Sequence, residues 1–304
     1  MNATATRIAL ARRAVGAPLR AGLALMLSPF LIGTAILVGL PVIFTVALAF
    51  TDYDALSPPV WQGFQNFGDI ASERVFQVSM RNSFFFVALA VPLRIFGALA
   101  LALLLHHRRR GSGLYRVSVF LPTVVPDVAY ALIWLWIFNP LYGPLNLMLS
   151  ALGLPGPAWL VNPNTALLAL VIMSLFQIGE GFVLLLTALR HIPQEYYDAG
   201  SIDGAGRWQL FRFVTLPLLA PWMLLLTVRD IVLTAQKFTA AYLMTGGGPY
   251  YATLFMPLLV YEEAFDRFRF GDAAAMMIVL FFSVAVLLYL VFITIRGWGY
   301  EDSA

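Results

Sequence analysis

Six stretches of this 304-residue chain are each apolar for about the 20 residues that a helix needs to cross the hydrocarbon core of a bilayer. They run near Leu23–Phe50, Ser83–Leu105, Leu114–Phe138, Thr165–Leu189, Val214–Ala235 and Ala273–Ile295. Hydrophobic residues make up 61% of the chain and charged residues 12%, whereas soluble domains sit near half and a quarter, roughly. A soluble fold could not hide this much apolar surface, but a bilayer can. The first stretch is too long and continuous for a cleaved signal peptide. It reads as an anchor and a tilted or kinked helix, with Pro29 and Pro41 inside it. The expected fold class is therefore all-α, a polytopic membrane protein with about six transmembrane helices.

Basic residues then set the orientation. Arg7, Arg12, Arg13 and Arg20 precede the first stretch. Arg108, Arg109, Arg110 and Arg116 lie in or just after the second connection, Arg190, Arg207 and Arg212 in the fourth, and Arg296 at the end. These are 12 of the 19 Lys and Arg residues. The opposite side holds Arg74, Arg81, Lys237, Arg267 and Arg269, while Arg94 and Arg229 fall inside or at the edge of spans. An even number of spans puts both termini on one face, and the bias makes that face cytoplasmic. The expected division is a cytoplasmic tail at 1–20, a membrane domain at 21–298 and a second tail at 299–304, in a multi-pass protein of the cell membrane with lipid as its solvent.

The chain has no cysteine, so disulfides and thiolate metal sites are excluded. His106, His107 and His191 lie at predicted helix ends beside arginines, and none has a second ligand at metal spacing. No nucleic-acid partner is expected. Asp52–Arg81, with Trp61, Phe64 and Phe67, reads as an ordered cap. The uncharged stretch Asn139–Asn164 reads as a re-entrant or interfacial turn, and Gly246–Pro249 as a helix terminator followed by an extended turn.

The fourth cytoplasmic connection, at 190–216, is oddly built for a linker. Pro193 opens a helix, with Glu195 and Asp198 near its positive end. Tyr196, Ala199 and Gly200 give that helix a partly apolar face, and Gly204 and Gly206 end it. A second short amphipathic stretch follows, carrying Trp208, Leu210, Phe211 and Val214, and Leu216-Pro217 starts the return into the membrane. The reading is a helix–turn–helix knob shaped to dock into a groove on a partner.

This segment resembles the EAA loop of binding-protein-dependent ABC importer permeases, whose pattern is E-A-A, three residues, Gly, nine residues, Ile-x-Leu-Pro. Asp198-Ala199-Gly200 takes the first three places, Gly204 the glycine, and Val214, Leu216 and Pro217 the last. Ile192-Pro193 and Ile202-Asp203-Gly204-Ala205 are similar to the carbohydrate-uptake branch. So are Thr245-Gly246-Gly247-Gly248-Pro249, Tyr261, Ala264-Phe265 and Gly271-Asp272-Ala273-Ala274-Ala275, along with Phe120-Leu121-Pro122 and Asn139-Pro140. The departures are Asp198 for the family's glutamate and Gly200 for its second alanine. The carboxylate is kept, and Glu195 stands nearby to share its role.

The resemblance implies a type I importer permease fold. It also implies a second permease subunit in a heterodimer, two cytosolic ATPase subunits and an extracytoplasmic substrate-binding protein. ATP-coupling positions carried over from the motif are Asp198, Glu195, Ala199, Gly200, Asp203, Gly204, Ala205, Leu216 and Pro217. The chain has no GxxxxGK[ST] loop, so no cofactor is expected on it and Mg-ATP is expected on the partner ATPases.

Charged and polar groups inside spans normally face a cavity or a partner. Gln177 and Glu180 share a helix face with Met173 one turn earlier, and Asp230, Thr234 and Lys237 recur at i, i+4 and i+7. By place in the motif frame they match stretches that line the sugar pocket in similar permeases. An alternative reading has Glu180 bridging Lys237 or Arg229, with Asp127 stabilising a kink or pairing with Arg94. Trp134 and Trp136 point to opposite sides of the third span, as lining or as an interfacial belt. The expected cargo is a neutral di- or oligosaccharide, with polyols and glycerophosphodiesters as the alternative. An ion-coupled transporter using Asp127, Glu180 and Asp230 would show inverted repeats, and none is visible. A membrane enzyme would cluster its acids, which here are scattered over three spans.

Overall fold

The computed structural model describes residues 22–106 and 111–296. The two expected tails, His107 and Arg108–Arg110 lie outside the described residues. Four helices are long and apolar enough to cross a membrane, and six spans result if each of two bent helix pairs is one span. The spans are α1 (Gly22–Leu48), α3 (Arg74–Leu105), α10 (Arg207–Ala235) and α13 (Phe270–Arg296). The bent pairs are α4 (Ser112–Val124) with α5 (Asp127–Ile137), and α7 (Pro163–Leu175) with α8 (Gly179–His191).

The bends correct the sequence reading of 114–138 and 165–189 as simple spans. The first pair turns by 104°. Its cause is Pro126: the residue before a proline is pushed out of the α region, and Val125 is extended at ψ 128°. The second pair turns by 44° at Phe176–Ile178. There Gly179 lets the two bent pairs touch, because a Cβ on it would lie 2.8 Å from the Phe120 Cα and 2.9 Å from the Val119 carbonyl oxygen.

α1 and α10 each contain one π turn, at Ala35–Gly39 and Phe211–Thr215. Each lies just before a proline, Pro41 or Pro217. A proline has no N–H to give to the preceding turn and its ring crowds that carbonyl, so the wider turn absorbs the misfit.

The central element is α3, which packs along α7, α8 and α10. One apolar core, with Phe86, Trp134, Phe138 and Met276, fills the end away from the 190–216 loop. A second, with Leu99, Phe182, Leu185 and Leu219, fills the end near it. We call these the cap end and the knob end. α1 leans on α13 and has no residue of its apolar window buried.

The cap expected at 52–81 is present. Strands β1 (Thr51–Asp52) and β2 (Val60–Trp61) pair antiparallel, and α2 (Gln65–Ser72) follows. Phe50 stacks on Trp61 at 5.6 Å, and the buried Asn66 amide donates to the carbonyls of Ala49 and Thr51. The 139–164 connection contains the short α6 (Pro144–Ala151). Its Asn146 bonds Trp159 and the carbonyls of Pro140 and Pro157. Finally α9 (Gln194–Ile202), α11 (Thr239–Thr245) and α12 (Met256–Tyr261) are short helices, and a third π turn at Glu262–Asp266 follows α12.

Candidate functional site: a charged cavity and a helical knob

Three helix interruptions converge midway along the bundle. The α4–α5 break brings Thr123 and Asp127, the α7–α8 break brings Gln177 and Glu180, and the α10–α11 junction brings Gln236, Lys237 and Thr239. With Arg94 and Arg229 they line a cavity of about 440 Å³. A helix start leaves backbone N–H groups unpaired and carries partial positive charge. Asp127 and Glu180 sit in the first turns of α5 and α8 and offset that charge.

The charges are paired across elements. Arg94 of α3 lies 3.6 Å from Asp230 and donates to the Gln177 carbonyl at 3.2 Å, closing the α7–α8 break. Asp230 also lies 3.7 Å from Arg229, which pairs with Glu180. Lys237 donates to the Gln177 side chain at 3.3 Å and lies 3.8 Å from Asp127. Three cations thus meet three carboxylates, and the cavity is balanced in charge.

The cluster has two layers. The Arg94 and Asp230 side chains are only 12% and 7% exposed, so they form a buried clamp. Arg229 and Glu180 are 42% and 52% exposed and face the open space. Screening leaves such an exposed pair at about 0–1 kcal/mol, so it can part cheaply while the clamp behind it cannot.

Of the residues expected along a substrate path, Gln177, Glu180 and Lys237 stand on the cavity wall. Asp230 stands behind it as the clamp. Met173 and Thr234 do not reach it: both are buried, and the Met173 carbonyl accepts from the Tyr130 hydroxyl at 2.7 Å. Glu180 pairs with Arg229 rather than Lys237, and Asp127 pairs with Lys237 rather than Arg94. Arg94 and Arg229 are wall residues outside the two helix faces read from the sequence. Their signal was charge within an apolar run. Trp134 is buried and Trp136 exposed, on opposite sides of α5.

At the knob end, α9 stops in a Schellman turn: Ala205 N–H donates to the Gly200 carbonyl at 2.9 Å and Gly204 N–H to that of Ser201 at 3.1 Å. Gly204 has φ +81°, which a side chain disfavours. Gly200 is covered by Leu210, whose Cδ2 would lie 2.6 Å from a Cβ there. Glu195, Asp198, Ala199, Asp203 and Pro217 are exposed, while Ala205 and Leu216 are half-buried. Gln194 donates to Asp198 at 3.2 Å. Tyr196, Ile202 and Trp208 add exposed apolar surface. The second helix of the knob, Arg207–Leu210, is present and runs on through the π turn into the rest of α10. The Tyr197 hydroxyl bonds Thr215 at 3.0 Å and ties α9 to it.

Discontinuous helices meeting at a polar cavity inside an apolar bundle define a membrane transport protein. Residues 90–297 match the family described as binding-protein-dependent transport system inner membrane component, and the chain belongs to that family. It is 34% identical over 283 residues to a probable ABC transporter permease protein of Bacillus subtilis (strain 168), covering 91% of each. It is 33% identical to the trehalose/maltose transport system permease protein of Thermococcus litoralis, covering 82% of this chain and 83% of that one. The lactose transport system permease protein of Rhizobium radiobacter is 34% identical, with 78% and 81% covered. The fold is shared with a bacterial ABC transporter involved in alginate import, at TM-score 0.81 and 22% identity, covering 94% of this chain and 99% of that one.

Proposed function

We propose that this chain is one of two permease subunits in an ATP-driven importer of a neutral di- or oligosaccharide, with both termini cytoplasmic. It lines half of the pathway through the charged cavity and receives the motion of cytosolic ATPase subunits through the α9 knob. A separate extracytoplasmic binding protein delivers the cargo, and Mg-ATP is held by the ATPases.

The observation that carries this reading is α10. It runs unbroken for 29 residues from the knob at Arg207 to the cavity wall, roughly 44 Å at 1.5 Å per residue. α8 runs the other way, from Glu180 at the cavity to His191 beside the knob. The knob is therefore the hairpin joining two rods whose far ends carry Arg229 and Glu180. A push on Asp198, Glu195 and the exposed Tyr196 and Ile202 turns both rods as bodies, and the Tyr197–Thr215 bond keeps α9 from yielding alone. This is a two-state element biased by a partner.

Charge balance favours a neutral cargo. A phosphate or glycerophosphate would call for surplus cations, and here each cation already faces a carboxylate. Sugars instead use paired carboxylates and amides as hydrogen-bond partners, which Glu180, Asp127 and Gln177 supply. The names of the trehalose/maltose and lactose relatives support the same class.

The test is reconstitution of this chain with its partner permease and ATPases in liposomes, with the binding protein outside. ATP-dependent uptake of a neutral oligosaccharide is expected. Uptake by this chain alone, driven by an ion gradient, rejects the reading, and preference for a phosphorylated cargo rejects its substrate class.

A further inference from the structure

A second, larger cavity of about 700 Å³ lies at the cap end, between the last turns of α5 and α11 and the loops that follow them. Its wall is largely apolar but carries Trp136, Tyr142, Asn139 and Thr245 together, with the backbone of Gly246 and Gly248. Trp136 is 55% exposed and Tyr142 61%.

The polar side of the wall is held in place. The Asn139 carboxamide oxygen accepts from the backbone N–H groups of Leu141 and Tyr142 at 3.0 and 3.2 Å, which fixes the turn carrying Tyr142 and leaves the amide N–H groups out of that turn. Across the cavity, Thr253 donates to the Gly248 carbonyl at 2.7 Å and meets the Thr245 hydroxyl at 2.6 Å. Exposed aromatic faces beside fixed amide and hydroxyl groups suit a ligand with flat C–H faces and an equatorial rim of hydroxyls.

The two cavities share walls. α5 begins at Asp127 in the charged cavity and ends beside Trp136 in the outer one, and α11 likewise runs from Thr239 to Thr245. The two helices pack side by side. At 1.5 Å per residue they set the cavities about 10–15 Å apart, a span of several sugar rings.

We propose that the cap-end cavity is a second carbohydrate subsite, stacking a sugar ring on Trp136 and Tyr142, so that a cargo of several rings touches both cavities at once. This rests on the reading of the chain as a sugar permease. The experiment uses the complete importer in liposomes with its binding protein, and offers neutral oligosaccharides of one to six rings. A long and a short cargo compete in the same vesicles, so the binding protein's own preference is common to all variants and cancels.

W136A and Y142A are each expected to lower the long-to-short import ratio about 5- to 10-fold, the size of one aromatic stacking contact. W136F, which keeps a stacking face, is expected to stay within about twofold of the parent. An unchanged ratio in both alanine variants overturns the subsite and leaves the permease reading intact. Loss of the partner permease from purified W136A and Y142A complexes also overturns it, by making this wall a subunit contact. Failure of the parent importer to take up any neutral sugar rejects the permease reading and the subsite together.

Discussion

Two clusters of paired charge among the described residues are built in opposite ways. At the cap end, Glu263 is fully buried and pairs with Arg267 and Arg269, while Arg269 also reaches Glu73 at 3.2 Å and Asp272 at 2.7 Å. Most of those partners lie within nine residues of Glu263, and the group closes on itself around the π turn. In the mid-bundle cluster, Arg94, Asp127, Glu180, Arg229 and Lys237 come from separate elements and share a cavity. A cluster folded from neighbours staples one corner. A cluster assembled from α3, α5, α8 and α10 around open space changes when those helices move, as the proposed pathway requires.

Removing a clamp residue should have the largest effect on the contrast. Asp230→Ala leaves Arg94 buried without a counter-charge, at an expected cost of about 3–5 kcal/mol, seen as a large drop in thermal stability of the purified complex. If the variant is as stable as the parent, the two-layer picture of the cavity fails.

The exposed layer should respond differently. Glu180→Arg or Arg229→Glu alone should impair uptake while changing stability by about 1 kcal/mol or less, and the double swap should restore most of it. Uptake that no swap restores would mean the two side chains act separately, each on cargo.

The staple should matter least. Burial pushes the Glu263 carboxyl above its ordinary range, against the pull of Arg267 and Arg269. A carboxyl raised in the folded state binds its proton more readily there than in the unfolded chain. Its stabilising contribution is therefore full below the ordinary glutamate value of about 4.3 and is lost as pH rises through the folded value. Glu263→Gln should flatten that slope in a melting series and leave cargo selection untouched. A change in selection would place this cluster on the pathway too.

Much of this was legible in the sequence, for reasons that differ by element. Four of the six apolar runs coincide with helices long enough to cross a membrane and the other two with the bent pairs, because lipid imposes length directly. The knob was legible because Pro193, Gly204 and Pro217 are local devices whose effects do not depend on distant packing. The 104° bend was not, although Pro126 announced a disturbance: the size of a bend depends on what the freed segments pack against, here the backbone of α4 on Gly179. The cavity was half legible. Periodicity put Gln177 and Glu180 on a common face, but Met173 on that face is buried once α7 ends at Leu175 and the chain turns. Across such a break, i and i+4 no longer mark one surface. Arg94's partner was illegible for a plainer reason, since Asp230 lies 136 residues away in the chain.

The central claim is that the knob turns ATP-driven motion into movement at the cavity, and Gly204→Pro tests it most directly. A proline cannot adopt the φ of +81° that ends α9, so the knob is deformed far from the cavity. The measurement is ATP hydrolysis by the assembled importer, with and without loaded binding protein. The account predicts an intact complex whose hydrolysis no longer rises when cargo is delivered. Full stimulation by cargo in that variant would contradict it.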